Sequence, residues 1–204
     1  MDVTIMNKSA KLVHGVGLND ADYQIASYAI ICGRRKQQWV CPIYIVWKGM
    51  LERCYSAKYQ LRCPTYIGCS VVQEWHSFSA FRAWMLSQDH KGRQLDKDIL
   101  VPGNRVYGPG TCVFVSPELN KLLNGYSAAR GEWPIGVCLH KGTGKFQAMC
   151  CNPFNRKNEH LGLFTTPDAA NDAWRVRKHE HACTYAELQS DPRIATALRA
   201  RYAS

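Results

Sequence analysis

The segment QLDKDILVPGNRVYGPGTCVFVSPELN, residues 94–120, gathers the side chains of this chain best suited to chemistry. Asp96 and Asp98 offer two carboxylates spaced two apart. Lys97 stands between them, Asn104 follows in a glycine-containing loop, and Asn120 comes last. Oxygen donors of this kind suit magnesium or manganese. Phosphodiester hydrolysis at one metal needs such ligands, a base that takes a proton from water, and positive charge for the leaving group. Asp96 and Asn120 are the candidate metal ligands. Asp98 or Lys97 would manage the water or the phosphate, and Asn104 would order the loop or the base. The plain alternative stays open: Asp-x-Asp is often only a polar strand edge, and an Asn after Gly103 often only makes a turn.

These side chains need elements to position them. QLDKDIL alternates as a short strand, which would put Asp96 and Asp98 on one side. VPGNRVYGPG reads as a loop and TCVFV as a second strand. Ser116 is a helix cap, with Pro117 at the first helical position and Glu118 early in the helix. Upstream, CPIYIVWKGMLERCYS has helical spacing, with Trp47, Met50, Leu51 and Cys54 at i, i+3, i+4 and i+7. LRCPTYIGCSVVQEW reads as a loop with strand pieces. Ser77 caps a helix over FSAFRAWML whose apolar side is Phe78, Phe81, Trp84 and Met85. Earlier still, ASYAIICG is a short strand or buried turn, and GRRKQQ is a basic loop.

From Gly136 the period changes. GVCLH, KFQAMCC and HLGLF are three short strands, and a helix opens at Thr166-Pro167-Asp168 and runs to about Lys178. The expected arrangement is a three-stranded antiparallel sheet packed on one helix. Val137, Leu139, Phe146, Ala148 and Cys150 would face that helix. Cys138, His140, Gln147, Met149 and Cys151 would face away. A last helix starts near Ser190, with Ile194, Leu198 and Tyr202 as its apolar stripe and Arg193, Arg199 and Arg201 in solvent.

The 204 residues carry a formal net charge of +10, from 26 basic and 16 acidic side chains. Such a surface attracts polyanions, nucleic acid above all. The excess is shared between the halves, so it belongs to the fold and not to a basic tail. No run approaches the roughly 20 apolar residues that cross a bilayer, and the first residues lack an apolar signal core. The expectation is no membrane partner, a cytoplasmic location, and ten cysteines that are thiols or metal ligands and not disulfides. Cys63, Cys69 and His76 are the zinc candidates, although the cysteine spacings lack the Cys-x2-Cys knuckle of common zinc sites. His179, His181 and Cys183, in RKHEHAC, would follow a helix end and also invite a metal reading.

Residues 41–124 resemble the HNH, or ββα-metal, proteins of phages, including free-standing homing-type endonucleases. The resemblance is carried by WKGMLERCY, by Trp75 with FSAFRAW, and by LDKDI, GNRVY, TCVFVS and Asn120. It implies that Asp96 is the metal-binding acid, Asn104 the loop asparagine and Asn120 the helix ligand. It also sets Lys97 where the family's catalytic histidine stands and Cys112 where the family has an asparagine. No histidine lies between His90 and His140, and a lysine is a poor base at neutral pH unless its pKa is strongly lowered.

Residues 136–174 resemble the AP2 DNA-binding domain, through GVCLH, GKFQAMC, LGLFTT and AANDAW. This implies a sheet whose exposed face enters the major groove. The family's sheet is rich in arginine; here those positions hold Cys138, His140, Met149 and Cys151. His140, Gln147 and Met149 would then touch bases. Lys141, Lys145, Arg156 and Lys157 would hold phosphates, as would Arg34, Arg35 and Lys36.

The combined expectation is an α+β protein with a ββα-metal-like unit and flanking helices, followed by a three-stranded antiparallel sheet on one helix. Its divisions are an N-terminal segment 1–40, an HNH-like domain 41–125, a linker 126–135, an AP2-like domain 136–180 and a C-terminal helix 181–204. The expected activity is metal-dependent cleavage or nicking of double-stranded DNA, with magnesium or manganese as cofactor, in the host cytoplasm if phage-encoded. Two alternatives stand beside it. One is a DNA-binding protein on the same fold without catalysis. The other is an inhibitor or adaptor that binds a protein partner through the sheet face.

Overall fold

The computed structural model describes residues 12–123 and 132–203. The expected linker therefore lies outside the described residues over 126–131, as does the N-terminal segment up to residue 11. The chain forms a mixed α+β structure of two compact units. The first takes the described residues of Met1–Lys91 together with Gly103–Phe114; the second takes Gly92–Pro102 and the described residues of Val115–Ser204. Among the described residues no helix is long and apolar enough to cross a membrane.

In the first unit, β1 (Ala26–Ile31) and β2 (Arg34–Val40) form an antiparallel hairpin. The stretch GRRKQQ is thus a strand and not the expected basic loop. The reason lies in the two residues before it. Cys32 and Gly33 have φ of 53° and 72°, the doubly left-handed pair of the tight turn that matches strand twist. A bulge between Ser27 and Tyr28 bends the ribbon near its base.

Helix α1 (Pro42–Tyr55) buries Trp47, Met50, Leu51 and Cys54, the stripe read from the spacing. Ser56 accepts a hydrogen bond from the Tyr59 amide and starts a short helix, α2 (Ala57–Arg62), which runs into the start of the expected loop at Leu61 and is followed by Pro64. Ser77 caps α3 (Phe78–Leu86) through the Ala80 amide. Phe78, Phe81 and Met85 are buried, and the half-exposed Trp84 stacks on Phe114. The Trp47 indole N–H donates to the Trp75 carbonyl at 2.8 Å, which satisfies a polar atom inside this aromatic core. Strands β3 (Ser70–Val71) and β5 (Val106–Tyr107) pair in parallel.

In the second unit, β4 spans Gln94–Asp96. Strand β6 (Val113–Val115) is wholly buried, with Val113 and Phe114 assigned to the first unit and Val115 to the second; α4 (Pro117–Leu123) follows it, with the Ser116 hydroxyl accepting from the Leu119 amide. The expected order along the chain is kept except that Val106–Tyr107, in the expected loop VPGNRVYGPG, forms strand β5 by pairing with β3. Strands β7 (Val137–His140), β8 (Lys145–Cys151) and β9 (Asn158–Phe164) form an antiparallel sheet in that order. Helix α5 (Pro167–Glu187), capped by Thr166, packs across it through Ala170, Trp174, His181 and Ala182. This helix runs nine residues past Lys178, so His179, His181 and Cys183 are mid-helix and do not follow its end. At Gly136, φ is 80° and an added Cβ would run into the Trp174 ring. Glycine therefore sets how closely the helix approaches the sheet.

Helix α6 (Pro192–Arg201), capped by Asp191, packs on α5 through Ile194, Ala195 and Leu198. Arg201, expected in solvent, is half-buried and donates to the Asp98 carbonyl at 3.5 Å.

Candidate functional site

The expected strand over QLDKDIL ends after Asp96, and Asp96 itself ends it. Its Oδ1 accepts from the amides of Asp98 and Ile99 at 2.9 and 2.7 Å, a side-chain turn that takes the chain out of the extended form. Asp96 and Asp98 therefore do not share one face by strand alternation. The turn brings them together instead. Burial first, and then the Asp98 carboxylate, push the Asp96 carboxyl above its ordinary value, against the lowering by its two amide bonds.

Lys97 does not act as an isolated cation. Its Nζ pairs with Asp98 Oδ2 at 3.1 Å, and its side chain is only 11% exposed, against 40% for Asp98. The ammonium is held in place and the carboxylate it holds reaches solvent. Arg201 fixes the same turn from α6 through the Asp98 carbonyl.

Helix α4 lies against β4, and Asn120 Nδ2 donates to Gln94 Oε1 at 2.7 Å. Gln94 and Asp96 stand two apart on β4, so their side chains leave the same side of the strand. Asn120 is thereby held on the side of β4 that carries Asp96. Gln94 was missed in the sequence; its spacing from Asp96 was the available signal.

Asn104 belongs to the other compact unit and does one of the two jobs expected of it. Its Oδ1 accepts from the Val106 amide and its Nδ2 donates to the Val106 carbonyl, at 3.1 and 2.7 Å, so it orders its own loop. Cys112 is buried. Cys63, Cys69 and His76 do not gather. The Cys69 thiol donates to the Thr65 carbonyl and His76 Nε2 shares a hydrogen bond with the Tyr55 hydroxyl. Among the described residues no three His, Cys, Asp or Glu side chains group as a metal would need. Asp96 and Asn120 carry a carboxylate and an amide. Their oxygens are the donor set that magnesium or manganese accepts, and a dication would relieve the charge that burial and Asp98 oppose at Asp96.

On the three-stranded sheet, the register places Cys138, His140, Lys145, Gln147, Met149 and Cys151 on the side away from α5. On β9 a bulge beside Met149 leaves Leu161 out of the pairing. His160 and Leu163 then join the open side, opposite Met149 and Gln147. These two were missed because the bulge breaks the simple alternation of HLGLF. Toward the helix, Ala148 and Cys150 are buried as expected, whereas Leu139 is 45% exposed at the edge strand. His140 Nδ1 shares a hydrogen bond with the Thr143 hydroxyl at 2.9 Å, which steadies the turn carrying the exposed Lys141 and Lys145. In the turn from β8 to β9, Asn152 and Asn155 accept backbone amides and present Arg156 and Lys157 to solvent, with Arg156 at φ 61°.

On the helix side of β9, Glu159 accepts from Arg177, Asn152 and His181. The Arg177 bonds first, then Asn152, hold its carboxyl at about 2. Burial first and then Arg177 push the His181 imidazole below its ordinary value. RKHEHAC thus serves this ion network, and His179 Nε2 lies 3.5 Å from the Cys183 thiol. Comparison with known proteins identifies no relative: no family model, no curated protein and no solved structure matches the chain.

Proposed function

We propose that this chain is a metal-dependent endonuclease or nickase acting on double-stranded DNA, of the phage homing type that residues 41–124 resemble. The observation that carries the proposal is the state of Asp96. It is a half-buried carboxyl pushed up by burial and by Asp98, on the side of β4 to which Gln94 holds Asn120. Acids raised by burial and by a neighbouring carboxylate are candidates for sites that take a cation or a proton. Asp96 and Asn120 would hold magnesium or manganese. The metal, when bound, supplies positive charge to a phosphate oxygen. Asp98, held by Lys97 and reaching solvent, takes the proton of the attacking water. Lys97 positions Asp98 and adds positive charge beside the phosphate. The open face of the three-stranded sheet, with His140, Lys145, Gln147 and Met149, meets the duplex, while Lys141, Arg156 and Lys157 hold its phosphates.

The test is incubation of the purified chain with long genomic or phage duplex DNA in magnesium, manganese or EDTA. Cutting that needs the metal and disappears in Asp96→Ala supports the proposal; intact DNA under every condition defeats it. One observation favours a second reading, a duplex-binding protein without cleavage on the same fold. The position of the family's histidine holds Lys97, whose side chain pairs with Asp98. A salt-sensitive mobility shift without cutting would select that reading.

A further inference from the structure

Both sides of the β1–β2 hairpin face solvent. Six of the seven residues of β2 are exposed, together with Tyr28, Ile30 and Ile31 on β1. Its two strands carry Arg34, Arg35 and Lys36 and no acidic residue. A free two-stranded ribbon is marginal in water. This one is held at its base by the Cys41 amide on the Ile25 carbonyl at 2.8 Å and by the Tyr23 hydroxyl against the Cys41 thiol at 3.3 Å. Tyr23 is itself packed on Phe78 of α3.

The register sorts the side chains by face. Tyr28 lies opposite Gln37 and Ile30 opposite Arg35, so these four share one side. Arg34, Lys36 and Trp39, opposite Ile31, Ala29 and Ser27, share the other. The Arg35 guanidinium sits 3.9 Å from the centre of the Tyr28 ring, which fixes the orientation of its fork.

We propose that this ribbon is a second DNA-reading element that enters the major groove of a duplex and reads base edges with Arg35 and Gln37. The proposal rests on the reading that the chain acts on double-stranded DNA. Two strands about 4.8 Å apart with their side chains fill a groove about 12 Å wide. A guanidinium oriented by an aromatic ring is suited to the two acceptors of guanine, and a glutamine to adenine. Ile30, 79% exposed, meets a thymine methyl. Arg34 and Lys36, on the opposite face, have long side chains that reach the flanking phosphates. The alternative occupant, a single strand, needs open aromatic faces for stacking. Arg35 already covers one face of Tyr28, the aromatic ring on its side of the ribbon, so this side favours the duplex; Trp39 lies on the other.

The test uses the full chain, fluorescence anisotropy, and a labelled duplex enriched by this protein from a random pool. Arg34→Ala/Arg35→Ala/Lys36→Ala changes only exposed residues. It is expected to weaken binding about tenfold or more and to lower the salt slope by about 2 to 3. Arg35→Lys keeps the charge and is expected to leave the salt slope unchanged while cutting the preference over a scrambled duplex about tenfold. A triple variant that binds like the parent, with metal-dependent cutting intact, overturns the ribbon and leaves the nuclease reading standing. Tighter binding of the matching single strand than of the duplex overturns the groove assignment. A parent chain that enriches no duplex overturns both.

Discussion

Two acidic side chains in the same compact unit have been treated in opposite ways. Glu159 on β9 accepts from Arg177, Asn152 and His181, and its carboxyl is held at about 2. Asp96, at the end of β4, accepts the backbone amides of its own turn, and burial and Asp98 push it upward. The charge of Glu159 is compensated by the fold that contains it. Beside Asp96 in the chain, the Lys97 ammonium pairs with Asp98 Oδ2 at 3.1 Å. A carboxylate whose ionisation opposes folding is one that a bound cation can relieve. The contrast separates a structural acid from a candidate for function.

The widest separation is expected in activity. Asp96→Asn should lower metal-dependent cleavage of duplex DNA at least about a hundredfold, whereas Glu159→Gln leaves it near the parent level. Equal losses in both variants would erase the distinction. Manganese at about 100 times its dissociation constant should stabilise the parent by about 2.7 kcal/mol. Thermal unfolding with and without the ion reads this, and Asp96→Asn should show no such rise.

Glu159→Gln should destabilise the fold by about 2 kcal/mol through lost charge-assisted bonds, seen as a lower denaturant midpoint. The pH dependence follows from the signs. The His181 imidazole is lowered in the fold, so its contribution is present above about 6.5 and is lost as pH falls through the lowered value. Glu159 is lowered as well, so its contribution is present above about 4.3 and is lost as pH falls toward about 2. Acid unfolding of the parent should therefore begin below neutrality and steepen below about pH 4. Glu159→Gln should flatten the second part. The smallest effect belongs to Asp96→Asn on stability. The Asp96 carboxyl is raised, so its ionisation opposes folding at neutral pH, and Asn keeps an acceptor for the two amides. The variant should match the parent or exceed it by less than about 1 kcal/mol. A clear loss of stability would make Asp96 a structural residue like Glu159.

Helix positions were legible where apolar spacing and caps agreed. Trp47, Met50, Leu51 and Cys54 are buried as their spacing required, Ser77 and Ser116 cap helices as read, and the helices expected to open at Thr166 and near Ser190 are capped by Thr166 and Asp191. The three C-terminal strands were legible from alternation, though not the bulge that brings His160 and Leu163 to the open face. The hairpin was half legible. ASYAIICG reads as a short strand or a buried turn, and RRKQQWV carries no apolar alternation, so only the pairing through the Cys32-Gly33 turn makes both strands.

The types and spacing of Asp96, Lys97, Asp98 and Asn120 named the candidate chemistry, because donor type and charge are properties of the residues themselves. Their roles were decided by tertiary structure. Which carboxylate Lys97 neutralises, and that Gln94 holds Asn120, depend on distances between residues that local periodicity does not encode. The same holds for Glu159 and Asp96. Both are carboxylic acids on short strands, and only the folded surroundings drive one down and the other up, because electrostatic energy follows separation and burial, not sequence order.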